Sequence, residues 1–336
     1  MKLAGTAGAF VAAGAVATLL NGRQRTQRRL RRGEEVEFGT VRSDGITVVS
    51  TDGVPLHVEV DEADRKTPTI VFLHGWVENI DVWHYQRLAL RGTVRMVFVD
   101  LRSHGLSGRA SSKRSTFADL ADDTLAVIKQ LVPRGPIILV GHSMGGMTIM
   151  QLAGTHPDLF GGRVKGVVLL GTSAGNLMRS SSGLRYLTPL LRAGSPVLDW
   201  GRRFNPPLAA LAGGAPSYSI IRRWGLGPGA AERHVDMANE MILHAPTFVL
   251  MDFYPNFVGF DLTAGLEALG RARTTVVSGT ADLLTPVTHS RRLADAIPDA
   301  KLEILDDVGH MLMFEEHEVV TRVIEDVLDD VREGMG

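Results

Sequence analysis

Short runs of mostly apolar residues recur along the chain, and most are followed by a stretch with helical spacing. This pattern limits the possible folds more than any other feature of the sequence. Thr69–Leu73, Val94–Val99, Ile137–Val140, Val164–Leu170, Thr274–Ser278 and Leu302–Leu305 read as strands. Phe117–Leu131, Met144–Thr155, Val287–Ala296 and Glu316–Val331 read as helices. Near-continuous apolar strands must be buried on both faces, so the expected fold is α/β, with a mainly parallel sheet covered by helices on both sides. Ahead of these runs, Ile46–Ser50 and Leu56–Val60 flank the turn pair Asp52-Gly53 and predict a hairpin. A length of 336 residues suits one such unit.

The alternation breaks from Ala174 to about Phe260. Pro189, Pro196, Pro206, Pro207, Pro216, Pro228, Pro246 and Pro255 fall there among scattered Trp, Tyr and Met. The stretch is too long for a loop and too apolar for disorder. It is expected to be a helical cap over residues 174–260, inserted in a core made of residues 34–173 and 261–336, with residues 1–33 as a separate N-terminal segment.

The chemistry centres on Leu139-Val-Gly-His-Ser-Met-Gly-Gly146. A strand ends and a helix starts around Ser143, with Gly141 and Gly145 on either side. Such a turn is too tight for neighbouring Cβ atoms, and it lifts the serine hydroxyl above the sheet, beside the positive end of a helix. Ser143 is therefore the candidate nucleophile. The alternative is a capping serine at a glycine-rich helix start.

A hydroxyl nucleophile needs a base. Of the 11 histidines, His310 follows the last strand and precedes the last helix, at the end of the sheet where α/β folds place ligands. The acid that orients it is expected after the preceding strand. Asp282, in Ser278-Gly-Thr-Ala-Asp-Leu-Leu-Thr-Pro286, fits best; Asp261, Asp306 and Asp307 are the competitors, and a helix-capping role is the alternative for Asp282. Two N–H donors should stabilise an oxyanion: the backbone of Met144, and that of Trp76 in the loop His74-Gly75-Trp76. Trp76 also suits a core role. The loop Asp100-Leu-Arg-Ser-His-Gly-Leu-Ser-Gly108 is expected to be structural, held by Asp and Arg hydrogen bonds.

In this order and spacing, His74-Gly75-Trp76, Asp100-x-Arg102-x-x-Gly105-x-Ser107, Gly141-His-Ser143-Met-Gly145, Gly279-Thr-Ala-Asp282 and Gly309-His310 resemble the α/β-hydrolase superfamily over about Gly45 to Val331. The chain looks most like serine-nucleophile lipases and esterases with a helical cap. Ser103 stands where that family usually has glycine. Epoxide hydrolases and haloalkane dehalogenases share the fold but carry Asp at the nucleophile position, so Ser143 argues against both. The resemblance implies a Ser143–His310–Asp282 triad, an acyl-enzyme, no metal or organic cofactor, and a small-molecule or lipid ester with a hydrophobic acyl chain. C–C bond hydrolysis, thioester hydrolysis and perhydrolysis would use the same triad, and a non-catalytic binding protein is the reading from outside enzymes.

Composition adds exclusions. There is no cysteine, so disulfides, thiolate metal sites and a thiol nucleophile are excluded. A net charge of −1 gives no general attraction to nucleic acid. The N-terminus differs from the rest: apolar Leu3–Leu20 is followed by Arg23, Arg25, Arg28, Arg29, Arg31 and Arg32, with no acid before Glu34. Eighteen residues of helix rise about 27 Å, close to a bilayer core. Positive charge on the C-terminal flank fits an anchor holding the catalytic body on the cytoplasmic side of a membrane; a loosely packed arm on a soluble cytoplasmic protein and a cleaved signal are the alternatives.

Overall fold

The computed structural model describes residues 36–63, 68–181 and 215–334. The strands are β1 (Gly45–Val49), β2 (Pro55–Asp61), β3 (Thr69–Leu73), β4 (Arg95–Val99), β5 (Ile137–His142), β6 (Val164–Leu170), β7 (Arg273–Gly279) and β8 (Lys301–Leu305). They form one sheet in the order β1-β2-β4-β3-β5-β6-β7-β8. β1 and β2 pair antiparallel, as the hairpin pattern predicts, and β2 also runs antiparallel to β4. All remaining pairs are parallel. Every residue of β3, β4 and β5 is buried, which is why these segments read as near-continuous apolar runs.

The helices used below are α1 (His84–Leu90), α2 (Phe117–Leu131), α3 (Met144–Thr155), α4 (Ala215–Trp224), α5 (Glu232–His244), α6 (Thr247–Phe253), α7 (Val287–Ala296), α8 (Leu312–Glu315) and α9 (His317–Glu333). One apolar core includes Val127, Met147, Ile149 and Leu269 on one side of the sheet; a second includes Trp83, Phe314, Ile324 and Val327 on the other. The expected two-sided cover is therefore present.

α1 has no counterpart in the sequence expectations, and the structure shows why. Its buried residues are His84, Gln86, Arg87 and Leu90, so its inward face is mostly polar and leaves no apolar stripe to read. Arg87 donates to Glu59 and Asp61 on β2 at 2.7–2.9 Å, and its guanidinium lies over the Phe98 ring. β5 also runs two residues further than expected and carries Gly141 and His142 up to the turn at Ser143.

Within the expected cap, the chain between β6 and β7 includes helices α4, α5 and α6. Residues 182–214 of that cap lie outside the described residues, as does the apolar and basic segment 1–33. Among the described residues no helix is long and apolar enough to cross a membrane.

Candidate active site

Ser143 sits between β5 and α3 with φ +50° and ψ −111°. A non-glycine residue in such a conformation costs on the order of 1–3 kcal/mol, so the surroundings must hold it there. They do so through the Ser143 backbone. Its N–H donates to Leu170 O at 2.9 Å, and its carbonyl accepts from Thr172 Oγ1 at 2.7 Å and from Met147 N at 3.1 Å. The flanking glycines are required by contact. A Cβ on Gly145 would lie 2.0 Å from Leu73 O, and one on Gly141 would lie 2.7 Å from the Gly145 carbonyl carbon. The turn thus aims the serine side chain away from the packed strand ends.

Asp282 and His310 come from the loops after β7 and β8. Leu284 N and Thr285 N each donate to Asp282 Oδ1 at 2.8 Å, and Thr285 Oγ1 donates to Oδ2 at 2.7 Å. The same Oδ2 lies 2.8 Å from His310 Nδ1. A carboxylate only accepts, so Nδ1 carries a proton and Nε2 of a neutral ring is left as the acceptor. Asp282 is 2% exposed and His310 is 5% exposed, so this pair interacts with little solvent screening.

Burial alone would raise the Asp282 carboxyl. The charge of His310 and the hydrogen bonds from His310 and Thr285 outweigh burial and hold it below the usual carboxylate range. Burial would likewise lower His310, but the charge and hydrogen bond of Asp282, with Glu78 and Glu315 nearby, leave it above the ordinary imidazole value. Glu315 is held up to about 7, chiefly by burial, although its carboxylate accepts from Gly227 N at 2.7 Å and Gly309 N at 3.0 Å. Those two bonds, with Met311 N donating to Gly225 O at 2.9 Å, tie the 225–227 segment to the histidine loop.

Ser143 and His310 line one cavity of about 200 Å³, together with Trp76, Met147, Leu177, Ile242, Leu250 and Phe257. Its walls are mainly apolar side chains from the sheet loops and from α4, α5 and α6. The Trp76 indole donates to Val249 O at 3.1 Å and packs on Phe257 with ring centroids 5.0 Å apart, so this residue is a structural link as well as a cavity wall. Met144 is the first residue of α3 and fully buried, and a backbone N–H at that position has no partner within its own helix.

Asp261 is exposed and accepts from Thr263, and Asp306 and Asp307 are exposed on the β8 turn. The Asp100 loop is held as expected. Asp100 accepts from Ile80 N and Leu106 N, and buried Arg102 donates to Asp123, Asp52, Ser50 and the Arg114 carbonyl. Sequence reasoning missed Thr285. Its signal was Asp282 with a hydroxyl residue three positions on, the pattern of a side chain that holds its own loop. Glu78, Glu315 and a role for His142 were also missed.

Several known proteins are similar to this chain. A putative esterase/lipase of Haemophilus influenzae is 34% identical over 93 residues, 28% of this chain and 31% of that protein. A putative carbamate hydrolase of Variovorax paradoxus is 29% identical over 82% of this chain and 96% of its own length. A thermophilic esterase from Thermogutta terrifontis superposes with a TM-score of 0.69 at 24% identity, over 86% of this chain and 99% of that one. The model of the α/β hydrolase fold family matches residues 68–317, and that span takes in β3 to β8, Ser143, Asp282 and His310, so the chain belongs to the α/β-hydrolase family.

Proposed function

We propose that this hydrolase cleaves carboxylic esters with a hydrophobic acyl chain through a Ser143–His310–Asp282 triad. The observation that carries the reading is the buried 2.8 Å contact between His310 Nδ1 and Asp282 Oδ2, with His310 and Ser143 on the wall of one mostly apolar cavity. Esterase and lipase in the names of similar proteins agree with it.

In the proposed reaction His310 Nε2 takes the proton of the Ser143 hydroxyl as its oxygen attacks the ester carbonyl. Asp282 keeps Nδ1 protonated and stabilises the imidazolium that forms. The backbone N–H groups of Trp76 and Met144 receive the oxyanion, worth roughly 3–4 kcal/mol for one such donor. His310 then protonates the leaving alcohol, and the same base activates water to release the acid. The apolar wall offers little to a charged acyl group and favours a hydrocarbon one.

A fluorophosphonate probe followed by a series of p-nitrophenyl esters of rising chain length tests this reading. Wild type should label and hydrolyse the esters. Ser143→Ala should do neither while melting near the wild-type temperature, because the hydroxyl faces the cavity. Undiminished labelling of Ser143→Ala would overturn the assignment.

A further inference from the structure

We propose that Glu78 and His142 form a second buried pair in which His142 carries both ring protons and clasps the backbone carbonyl of His310, so that the pair positions the nucleophile, the base and the oxyanion loop together. The proposal rests on reading Ser143 and His310 as nucleophile and base.

The argument is a count of protons. His142 Nδ1 lies 3.0 Å from Glu78 Oε2, and His142 Nε2 lies 3.0 Å from the His310 carbonyl oxygen. A carbonyl only accepts, so Nε2 must carry hydrogen. Glu78 Oε2 already accepts from Gly75 N at 2.6 Å, and its carboxyl is held below the usual range despite burial, so as a carboxylate it accepts from Nδ1 as well. A neutral imidazole has one N–H and cannot serve two acceptors. An imidazolium beside a carboxylate satisfies all three contacts, and the pair is neutral as a whole, as burial of both side chains requires.

Nearby His74 gives the opposite result by the same count. Leu101 N donates to its Nε2 at 2.9 Å, and its Nδ1 meets the Gly75 carbonyl at 2.7 Å, so one nitrogen accepts, one donates and the ring is neutral. Burial holds it that way. On the Glu78 side, burial opposes ionisation, but His142 and the Gly75 N–H outweigh it and keep the carboxyl below its usual range. The other charged groups that bear on this corner are Asp100 beside His74, and Asp282 and Glu315 beside His310.

The connections explain what the pair is for. Gly75 precedes Trp76, whose N–H is proposed to meet the oxyanion. A Cβ on Gly75 would lie 2.8 Å from Glu78 Oε2, so the loop closes tightly on the carboxylate. His142 precedes Ser143 in the chain and is the last residue of β5. Its far nitrogen holds the peptide of His310, and the two rings sit 4.6 Å apart. One run of hydrogen bonds, Gly75 N to Glu78 to His142 to His310 O, therefore joins three loops that otherwise depend on separate strands. Displacing reacting groups by about 1 Å costs on the order of 10²-fold in rate.

Nitrogen-15 NMR of the full chain with labelled histidine rings tests the protonation directly at neutral pH, the His142 signals being assigned by their loss in His142→Gln. Both ring nitrogens should be protonated in wild type, and one should lose its proton in Glu78→Gln. An unprotonated ring nitrogen on wild-type His142 overturns the proposal. Kinetics test the positioning. His142→Phe keeps the ring volume but removes both donors, and kcat on an acetyl ester should fall on the order of 10²-fold with KM unchanged. His142→Gln can still present an N–H to the His310 carbonyl and should recover much of that loss. Equal losses in the two variants, or a loss that follows the melting temperature alone, overturn the clasp. Should wild type neither label with the fluorophosphonate nor turn over esters, the nucleophile reading fails, while the NMR result still decides the state of the pair.

Discussion

Replacing Asp282 by Asn separates the two jobs its carboxylate performs, and the geometry predicts which one fails. Oδ1 accepts from two backbone N–H groups, those of Leu284 and Thr285, each at 2.8 Å. An amide nitrogen there would face two donors, so the oxygen of the introduced amide must take that side. The amide nitrogen then occupies the Oδ2 position, 2.8 Å from His310 Nδ1. Because the amide donates, Nδ1 must accept, and the one proton of the neutral ring moves to Nε2, the atom that has to receive the Ser143 proton. Thr285 Oγ1 has only to turn so as to accept instead of donate. The variant therefore keeps its loop and loses its base. A tautomer switch of this kind in a serine triad costs roughly 10⁴-fold in kcat, or about 5.4 kcal/mol of barrier. Stability should fall far less, by about the net worth of one or two hydrogen bonds, roughly 1–3 kcal/mol. Steady-state hydrolysis of a short activated ester beside thermal melts of the same samples reads both numbers. His310→Ala should lose at least as much turnover, and the double variant little more than His310→Ala, since the two residues act as a unit. An Asp282→Asn enzyme within about tenfold of wild type would refute the reasoning and leave Asp282 as a loop-holding residue.

Three further expectations follow from the same geometry. His310 is held above its ordinary value and works only when neutral, so kcat/KM should rise with pH through a limb above about 6.5; Glu315 is one of the charges that raise it, so Glu315→Gln should move that limb to lower pH, and an unmoved limb would rule out the coupling. Leu250→Trp narrows the apolar cavity and should cut kcat/KM for long acyl chains by about tenfold or more while sparing acetyl esters; a flat chain-length profile would place the acyl site elsewhere. Arg102 is fully buried and donates to Asp123 at 2.6 Å, so Arg102→Met strands a buried carboxylate and should lower the unfolding free energy by about 3–5 kcal/mol in urea titrations, whereas a loss under 1 kcal/mol would show that Asp123 finds relief.

How far the sequence reveals this molecule depends on whether a residue acts through a local pattern or through a distant partner. The central parallel strands were legible because burial on both faces leaves little room for polar residues: β3 is Thr-Ile-Val-Phe-Leu and every position is buried. α2, α3 and α7 were legible to the residue, since apolar spacing and their end signals agree. The nucleophile turn was legible for a steric reason. The approach of Leu73 O to position 145 admits only glycine, and a requirement of that kind is written into the local sequence.

Polar residues whose partners lie far along the chain leave no such mark. α1 turns Arg87 inward because β2 supplies Glu59 and Asp61, and Gln86 inward because the Met313 and His317 carbonyls accept from its amide, and nothing within the seven residues of the helix announces those partners. His142 is the sharper case. In the sequence it is one of 11 histidines, beside a serine that accounts for its whole motif. Its significance comes from Glu78, 64 positions earlier, and from the carbonyl of His310, 168 positions later. Neither a carbonyl nor a proton count appears in the letters of a sequence, so only the folded sheet, which brings the ends of β3, β5 and β8 to one edge, makes the ring read as a cation and not as filler. The same reasoning applies to Ser103, which adopts φ +69° where the family usually has glycine. Its Oγ accepts from Ala110 N at 2.9 Å, a bond glycine could not make, so the departure from the family pattern exchanges backbone ease for a loop contact seven residues away.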